Sequence, residues 1–473
     1  MLFHSFPYLL VFLPIVASVH ALLEKHTNSR ITSTWLLGAS LYFYSYGAPG
    51  QVILLAGSIV FNWLIARQMC RLPESERKRV LRIGLVVNIV FLCSFKYVNF
   101  LLRSLPGFSS AHILIPDWAA PLGISFFTLT QVMYLVDTYQ GLNRPNSLFD
   151  HATMVSLFPY ISSGPLVAAR SIIPQLNRTA RKSGQSRAEM ACRGIYLLAI
   201  GLVKKVALAD AFAAVANAGF GRAQSYSTLE AWVFSSCYSL QIYFDFSGYS
   251  DMAVGSAWLL GIDIPANFNS PYRSKSISEF WQRWHISLSN FITSYLYTPM
   301  LRSMGKATLS TSVAATLLAM AIAGLWHGPG WCYIIFGLLH GIGLAANQIW
   351  KKRKKRMPDG VSWTLTFLLV NTAFIFFRSP DVSSALRMIS ALVPHGNLLG
   401  AAALKGVIPF TPMLIVRPVV VGAVLAFFFR NSVELAREFR PTPWTLCGAT
   451  ALMVLAFYYM NSTTAKQFVY FAF

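Results

Sequence analysis

The sequence predicts an all-α fold, a polytopic bundle of about 11–12 transmembrane helices with re-entrant and interfacial pieces. Three observations predict it. Of 473 residues, 55% are hydrophobic and only 12% charged, with a mean hydropathy of +0.52; a soluble globular chain carries about a quarter charged residues. Apolar runs near membrane-spanning length recur along the chain. The formal net charge of +22 is gathered into clusters between those runs. Length alone would suggest about three soluble domains, but no stretch stands apart from the apolar runs, so residues 1–473 read as a single membrane domain.

The basic clusters are "RQMCRLPESERKRVLR" (Arg67–Arg82), the stretch Arg170–Arg193, "KKRKKR" (Lys351–Arg356) and the stretch Arg430–Arg440. In a soluble protein they would raise the question of nucleic acid. Between spans they read as cytoplasmic loops touching anionic lipid, so membrane lipids are expected partners and nucleic acid is not. The six cysteines are scattered, with neither C-x-x-C nor zinc spacing, and read as small apolar residues or isolated thiols.

With the basic loops inside, the expected spans are Pro7–Leu23, Thr34–Tyr46, Gln51–Ala66, Ile83–Leu102, Ala119–Val136, Cys192–Ala209, Glu230–Phe246, Leu309–Leu325, Trp331–Ile349, Val361–Phe377, Met413–Phe429 and Trp444–Met460. The first lacks a basic leader and is followed at once by more spans, so it is expected to be a retained helix. His151–Ala168 is apolar too, but a full crossing there would export the Arg170–Arg193 loop. With Pro159, Gly164 and Pro165 inside it, it reads as a broken or re-entrant segment shielded by protein. Lys204 and Lys205 fall within a span, where snorkelling or pairing with Asp210 accounts for them. The segment Ser247–Lys306 is placed on the cytoplasmic side. Within it, Glu279–Tyr297 reads as one amphipathic helix, with Phe280, Trp284, Leu288, Phe291 and Tyr295 as its apolar stripe and His285 at the border.

Two histidines stand beside tryptophans: His285 in "FWQRWHISLS" and His327 in "GLWHGPG". Gly324, Gly328, Pro329 and Gly330 punctuate the chain around His327, and Trp326 and Trp331 can wall a channel or anchor at the interface. A desolvated imidazole stays neutral and can act as a base near pH 7; a histidine capping a helix end or bonding across helices is the alternative. His340, in "WCYIIFGLLHG", is a further polar intrusion close by. Asp245 and Asp251, in "QIYFDFSGYSDMAVG", are candidates as ionisable groups at a span end, or else caps paired with Arg273 or Arg283. No metal-ligand set converges, and G-x-S-x-G, Walker and H-E-x-x-H motifs are absent.

"NFNSPYRSKSISEFWQRWHISLSNF" together with "GLWHGPGW" and "FGLLHG" resembles the membrane-bound O-acyltransferase (MBOAT) superfamily, in its alginate O-acetyltransferase AlgI-like branch, related to DltB. "PLGISFFTLTQVMYLVDTYQG", "SGPLVAARSIIPQL", "GLVKKVALAD", "FDFSGYSDMAVG" and the terminal "FVYFAF" follow that branch in the same order. The resemblance implies about a dozen membrane helices around a central tunnel, with a catalytic core over roughly 119–350. His327 would take the catalytic position and His285 the second-histidine position toward the cytoplasmic mouth. The chain departs from the branch at "ITSYLYTPMLRS", where Thr293 and Ser294 replace an Arg-Asp pair and Met300–Leu301–Arg302 replaces Leu-Gly-Gly. Alginate is therefore not assumed as the acceptor.

The activity implied is transfer of an acetyl or other short acyl group from a cytoplasmic thioester to a hydroxyl, across the inner (plasma) membrane and toward an extracytoplasmic polysaccharide. A bound cofactor is not expected; acetyl-CoA or another acyl thioester is the donor. His327 is the expected base. His285, Trp281 and Arg283 are expected to hold the donor at the inner mouth, with Trp284, Trp326, Asp245, Asp251 and His340 along the tunnel. Arg283 suits phosphate by its fork of donors. The resemblance also implies an extracytoplasmic acetyltransferase or esterase-like partner. The rival readings are a D-alanyl or longer-chain protein or lipid O-acyltransferase, a transporter or flippase of an envelope precursor, and a non-catalytic scaffold. The flippase reading predicts paired halves, and "WQRWHISLS" has no counterpart in the other half.

Overall fold

The computed structural model describes residues 1–47, 49–104, 120–177, 187–220, 226–354, 356–394 and 412–462. The expected span start at Ala119, the middle of the Arg170–Arg193 loop, Lys355 and the terminal "FVYFAF" lie outside the described residues. Every regular element among the described residues is helical, as the composition predicts.

Among the described residues, six helices are long and apolar enough to cross a membrane: Pro7–His26, Gln51–Arg71, Leu309–His327, Trp331–Lys352, Asp359–Arg378 and Pro443–Asn461. Val419–Phe428 and Ser432–Glu438, bent by 72° at their junction, form a seventh if taken as one span. The other expected spans also coincide with helices, but these are shorter or more polar. Ser29–Ser45 has 17 residues and Ile124–Tyr139 has 16. Glu74–Lys96 opens on the charged turns "ESERKR".

The chain divides into two compact units. The first comprises Met1–Leu198, Ser250–Pro265 and Ala436–Ala449. There, Gln51–Arg71 and Glu74–Lys96 pack on each other and on Ile124–Tyr139. The amides of buried Asn62 and Asn88 satisfy each other, at 3.2 and 2.7 Å, which keeps two polar groups from being stranded in an apolar interface. An aromatic cluster of Phe3, Tyr8, Phe12, Phe43 and Phe158 holds the amino-terminal helix. The helix through His151 ends at Ser156, and residues 157–168 run as turns and irregular chain, almost all buried, before Ala169–Leu176. The chain is thus broken where Pro159, Gly164 and Pro165 fall. Gly164 is required there, since a Cβ would sit 2.4 Å from the Tyr160 backbone.

The second unit comprises Ala199–Tyr249, Ala266–Leu435 and Thr450–Phe473. Its centre is the hairpin of Leu309–His327 and Trp331–Lys352, with Asp359–Arg378 packed on the latter. Backbone meets backbone at this crossing: a Cβ on Gly337 would lie 2.2 Å from the Met320 carbonyl oxygen and 2.9 Å from the Gly324 Cα. Small residues give membrane helices this close approach, which packing without a hydrophobic drive requires. Gly337→Ala is therefore expected to push the two helices apart, lowering membrane accumulation and activity together. Gly360→Ala, where no atom lies within 4 Å of the added carbon, is expected to behave as wild type. Immunoblotting and thermal melting of the two variants check this.

Two expectations are corrected. Glu279–Tyr297 is not one helix but Ile277–Arg283, Ile286–Phe291 and a π-helical Ile292–Tyr297. The stripe still holds as burial, since Phe280, Trp284, Leu288 and Phe291 are all buried. What breaks the helix is His285, whose φ of 43° and ψ of 54° are left-handed; it sits fully buried, not at a border. The helix expected to end near Phe246 continues from Thr228 to Leu259, so Ser247 to Leu259 is not part of a cytoplasmic loop, and Asp245 and Asp251 lie in mid-helix. Cys192–Ala209 is helical throughout, Arg187–Val203 running on through a π-helical turn at Lys204–Ala209.

Candidate functional site: buried histidines in an aromatic cluster

Leu309–His327 starts on a capping box between Thr308 and Thr311, which satisfies two of its orphan amides. It stops at His327 because Gly328, Pro329 and Gly330 follow, and proline cannot continue a helix. The chain turns, and Trp331–Lys352 begins at once. His327 is 5% exposed. Its ring lies beside Trp326 (centroids 4.9 Å apart) and edge-on to Phe336 (5.8 Å) and Phe377 (5.3 Å).

His340, fully buried, meets the same Phe336 ring at 4.7 Å and stacks on Phe280 at 6.0 Å. Trp281 Nε1 donates to His340 Nδ1 at 3.2 Å. An indole nitrogen can only donate, so Nδ1 is the acceptor and the neutral imidazole carries its proton on Nε2. That Nε2 has no hydrogen-bond partner among the described residues.

His285 is held differently. Asn267 Oδ1 accepts from Ser287 N (3.0 Å) and Ser287 Oγ (2.8 Å), and lies 3.3 Å from His285 Nδ1. Asn267 O accepts from Ile286 N at 2.9 Å. These bonds hold a left-handed residue that costs an L-amino acid about 1–2 kcal/mol. Phe246 meets the imidazole edge-on at 4.7 Å. Burial pushes the His285 imidazole down to about 3, so it is neutral at physiological pH.

Trp284 packs on Phe280 (5.4 Å) and Phe374 (5.2 Å), and Phe374 in turn stacks on Phe336 (6.0 Å). Arg283 is braced within its own segment. Its Nε and Nη2 reach Glu279 Oε1, each at 2.9 Å, and Nη1 donates to the Asn269 carbonyl at 3.2 Å.

Asp245 belongs to another cluster. Lys205 Nζ bridges Asp245 (2.7 Å) and Asp210 (3.1 Å), with all three side chains nearly sealed from solvent. The pairing expected with Asp210 is present, and the partner of Asp245 is Lys205 rather than Arg273 or Arg283. Asp251 is buried and falls in the first unit.

A cavity of about 360 Å³ adjoins Trp281; Gln282, Thr293, Tyr297, Met320 and Gln348 also line it. It opens against the altered "ITSYLYTPMLRS" stretch. Among the described residues no group of three or more His, Cys, Asp or Glu can hold a metal.

Of the predicted residues, His327, His340, Trp281 and Trp326 are brought into one cluster, and Trp284 joins through Phe374. His285 stands on its own support of Asn267 and Phe246. Phe336 and Asn267 were missed. Phe336 looks like any apolar helix residue, and the Asn267 role exists only once a loop 18 positions away folds back on His285. Lys205 did carry a signal, since a lysine within an apolar run demands an acid.

Among the described residues, an all-helical bundle thus buries His327 and His340 beside tryptophans, and one of those tryptophans, Trp281, lines a cavity. The chain belongs to the MBOAT, membrane-bound O-acyltransferase family, whose pattern matches residues 8–378. It is similar to the peptidoglycan O-acetyltransferase of Helicobacter pylori, 32% identical over 100% of this chain and 98% of that protein. To the probable alginate O-acetylase AlgI of Pseudomonas aeruginosa it is 35% identical, over 84% of this chain and 76% of that one. The teichoic acid D-alanyltransferase of Bacillus subtilis matches 54% of this chain and 67% of its own length at 29% identity. The chain is thus a polytopic membrane protein of an acyltransferase family.

Proposed function

We propose that the protein moves an acetyl group from a cytoplasmic thioester, acetyl-CoA, to hydroxyls of an extracytoplasmic polysaccharide, directly or through a partner transferase, in the inner membrane of its cell. The observation that carries the reading is the His327–Phe336–His340–Trp281 cluster beside a cavity, set between helices of a family whose similar members are named for O-acetyl transfer to envelope polymers. A thioester is already activated, so the protein has to position it, remove the hydroxyl proton and exclude water. His327 serves as the base. Trp281, on the cavity wall, meets the donor, and His285, Trp284 and Trp326 shape its path within a catalytic core over roughly 119–350. Arg283 braces the Asn269 loop, and the N–H groups left over from that pairing meet the donor phosphate. Acetyl transfer is favoured over D-alanyl transfer by the fuller coverage of the O-acetylating relatives.

The test is loss of the gene in its own cell. Ester-linked acetyl should leave the envelope polysaccharide, and membranes should no longer release thiol from acetyl-CoA. Unchanged acetyl content with loss of ester-linked D-alanine would instead select the D-alanyl reading.

A further inference from the structure

We infer that His340 is a catalytic residue, the hydrogen-bond donor that stabilises the oxyanion formed when the thioester carbonyl is attacked; this rests on the acyl-transfer reading. Four observations lead to it. The Trp281 N–H on Nδ1 leaves the His340 proton on Nε2. That N–H is buried and has no hydrogen-bond partner among the described residues. A buried donor left unmade costs roughly 1–3 kcal/mol, and such a group in a native fold calls for an explanation. His340 and His327 both contact one ring, Phe336, at 4.7 and 5.8 Å, so the donor and the base border a common aromatic wall. Trp281, which sets the His340 tautomer, is itself on the cavity wall, so a ligand in the cavity borders the residue that orients the donor.

The step balances without any other reactant. The acceptor hydroxyl oxygen bonds to the thioester carbonyl carbon while its proton passes to His327. The carbonyl oxygen becomes an oxyanion and accepts from His340 Nε2–H. Collapse breaks the C–S bond, and His327 returns its proton to the sulfur, leaving an ester and a free thiol. Donors aimed at a developing oxyanion are typically worth about 10²–10³-fold in kcat.

Two isosteres separate this role from a structural one. A glutamine places its amide where Nε2 lies, whereas an asparagine reproduces the Nδ1 position and keeps a partner for Trp281. Membranes carrying the full chain are assayed for thiol release from acetyl-CoA, with envelope acetyl content measured in cells. H340N is expected to lower kcat by about 10²–10³-fold with KM for acetyl-CoA changed only a few-fold, and H340Q to recover at least about tenfold of that loss. Trp281→Phe, which leaves an N–H on the ring, is expected to lose less than H340N. An active H340N with a dead H340Q would make His340 merely the acceptor for Trp281 and overturn the assignment. So would wild-type kcat in both. If His327→Ala is inactive in those same cases, the acyl-transfer reading survives; if His327→Ala is also active, that reading fails with it.

Discussion

His327→Ala is expected to cut acyl transfer by about 10²–10⁴-fold, the usual cost of removing a positioned general base. The protein should still reach the membrane and retain donor, because His327 is the last residue of its helix and the chain already turns at Gly328–Pro329–Gly330. Truncation leaves a gap among Trp326, Phe336 and Phe377. The measurement is single-turnover transfer from labelled acetyl-CoA, with melting of the same preparation as the control for folding. His285→Ala should slow transfer less, since that ring is a neutral strut on Asn267 and Phe246. A well-folded His327→Ala protein transferring near the wild-type rate would remove His327 from the chemistry.

Lys205→Met should be the most damaging single change to stability outside the helix hairpin. It removes the cation shared by Asp245 and Asp210 at 2.7 and 3.1 Å, in a site whose side chains are at most 8% exposed. Breaking a buried ion pair from one side costs about 3–5 kcal/mol, because a charge is left without compensation, and here two carboxylates lose the cation they share. The variant is expected to vanish from the membrane or to melt well below wild type. Asp245→Asn should be far milder, since it leaves Lys205 facing one aspartate, a neutral pair. Melting midpoints of the two purified variants decide the matter. A Lys205→Met protein as stable as Asp245→Asn would mean that the aspartates do not carry charge in the fold.

The sequence by itself determined the membrane-embedded all-helical class, because burial in lipid demands apolar runs and helices that satisfy their own backbone, and both are visible in composition. It also marked where the chain must break, through Pro159, Gly164 and the Gly328–Pro329–Gly330 turn, and it singled out His327, His340 and Trp281 as polar groups out of place in oil. Periodicity misled at Glu279–Tyr297. The apolar stripe of a continuous helix and that of two helices joined by one left-handed residue are nearly the same pattern, and only the Asn267 bonds decide between them. The glycine that ends the longer helix, left-handed Gly261 at φ 73°, was in view, but Gly248 offered the same residue type nearer Phe246. The tertiary structure alone decided which charges pair, giving Asp245 to Lys205 and the Arg283 fork to Glu279 and Asn269. It alone placed Phe336 against two imidazoles and a donor on His340 Nδ1. Those contacts join residues far apart in the chain, and packing rather than propensity or period brings such residues together.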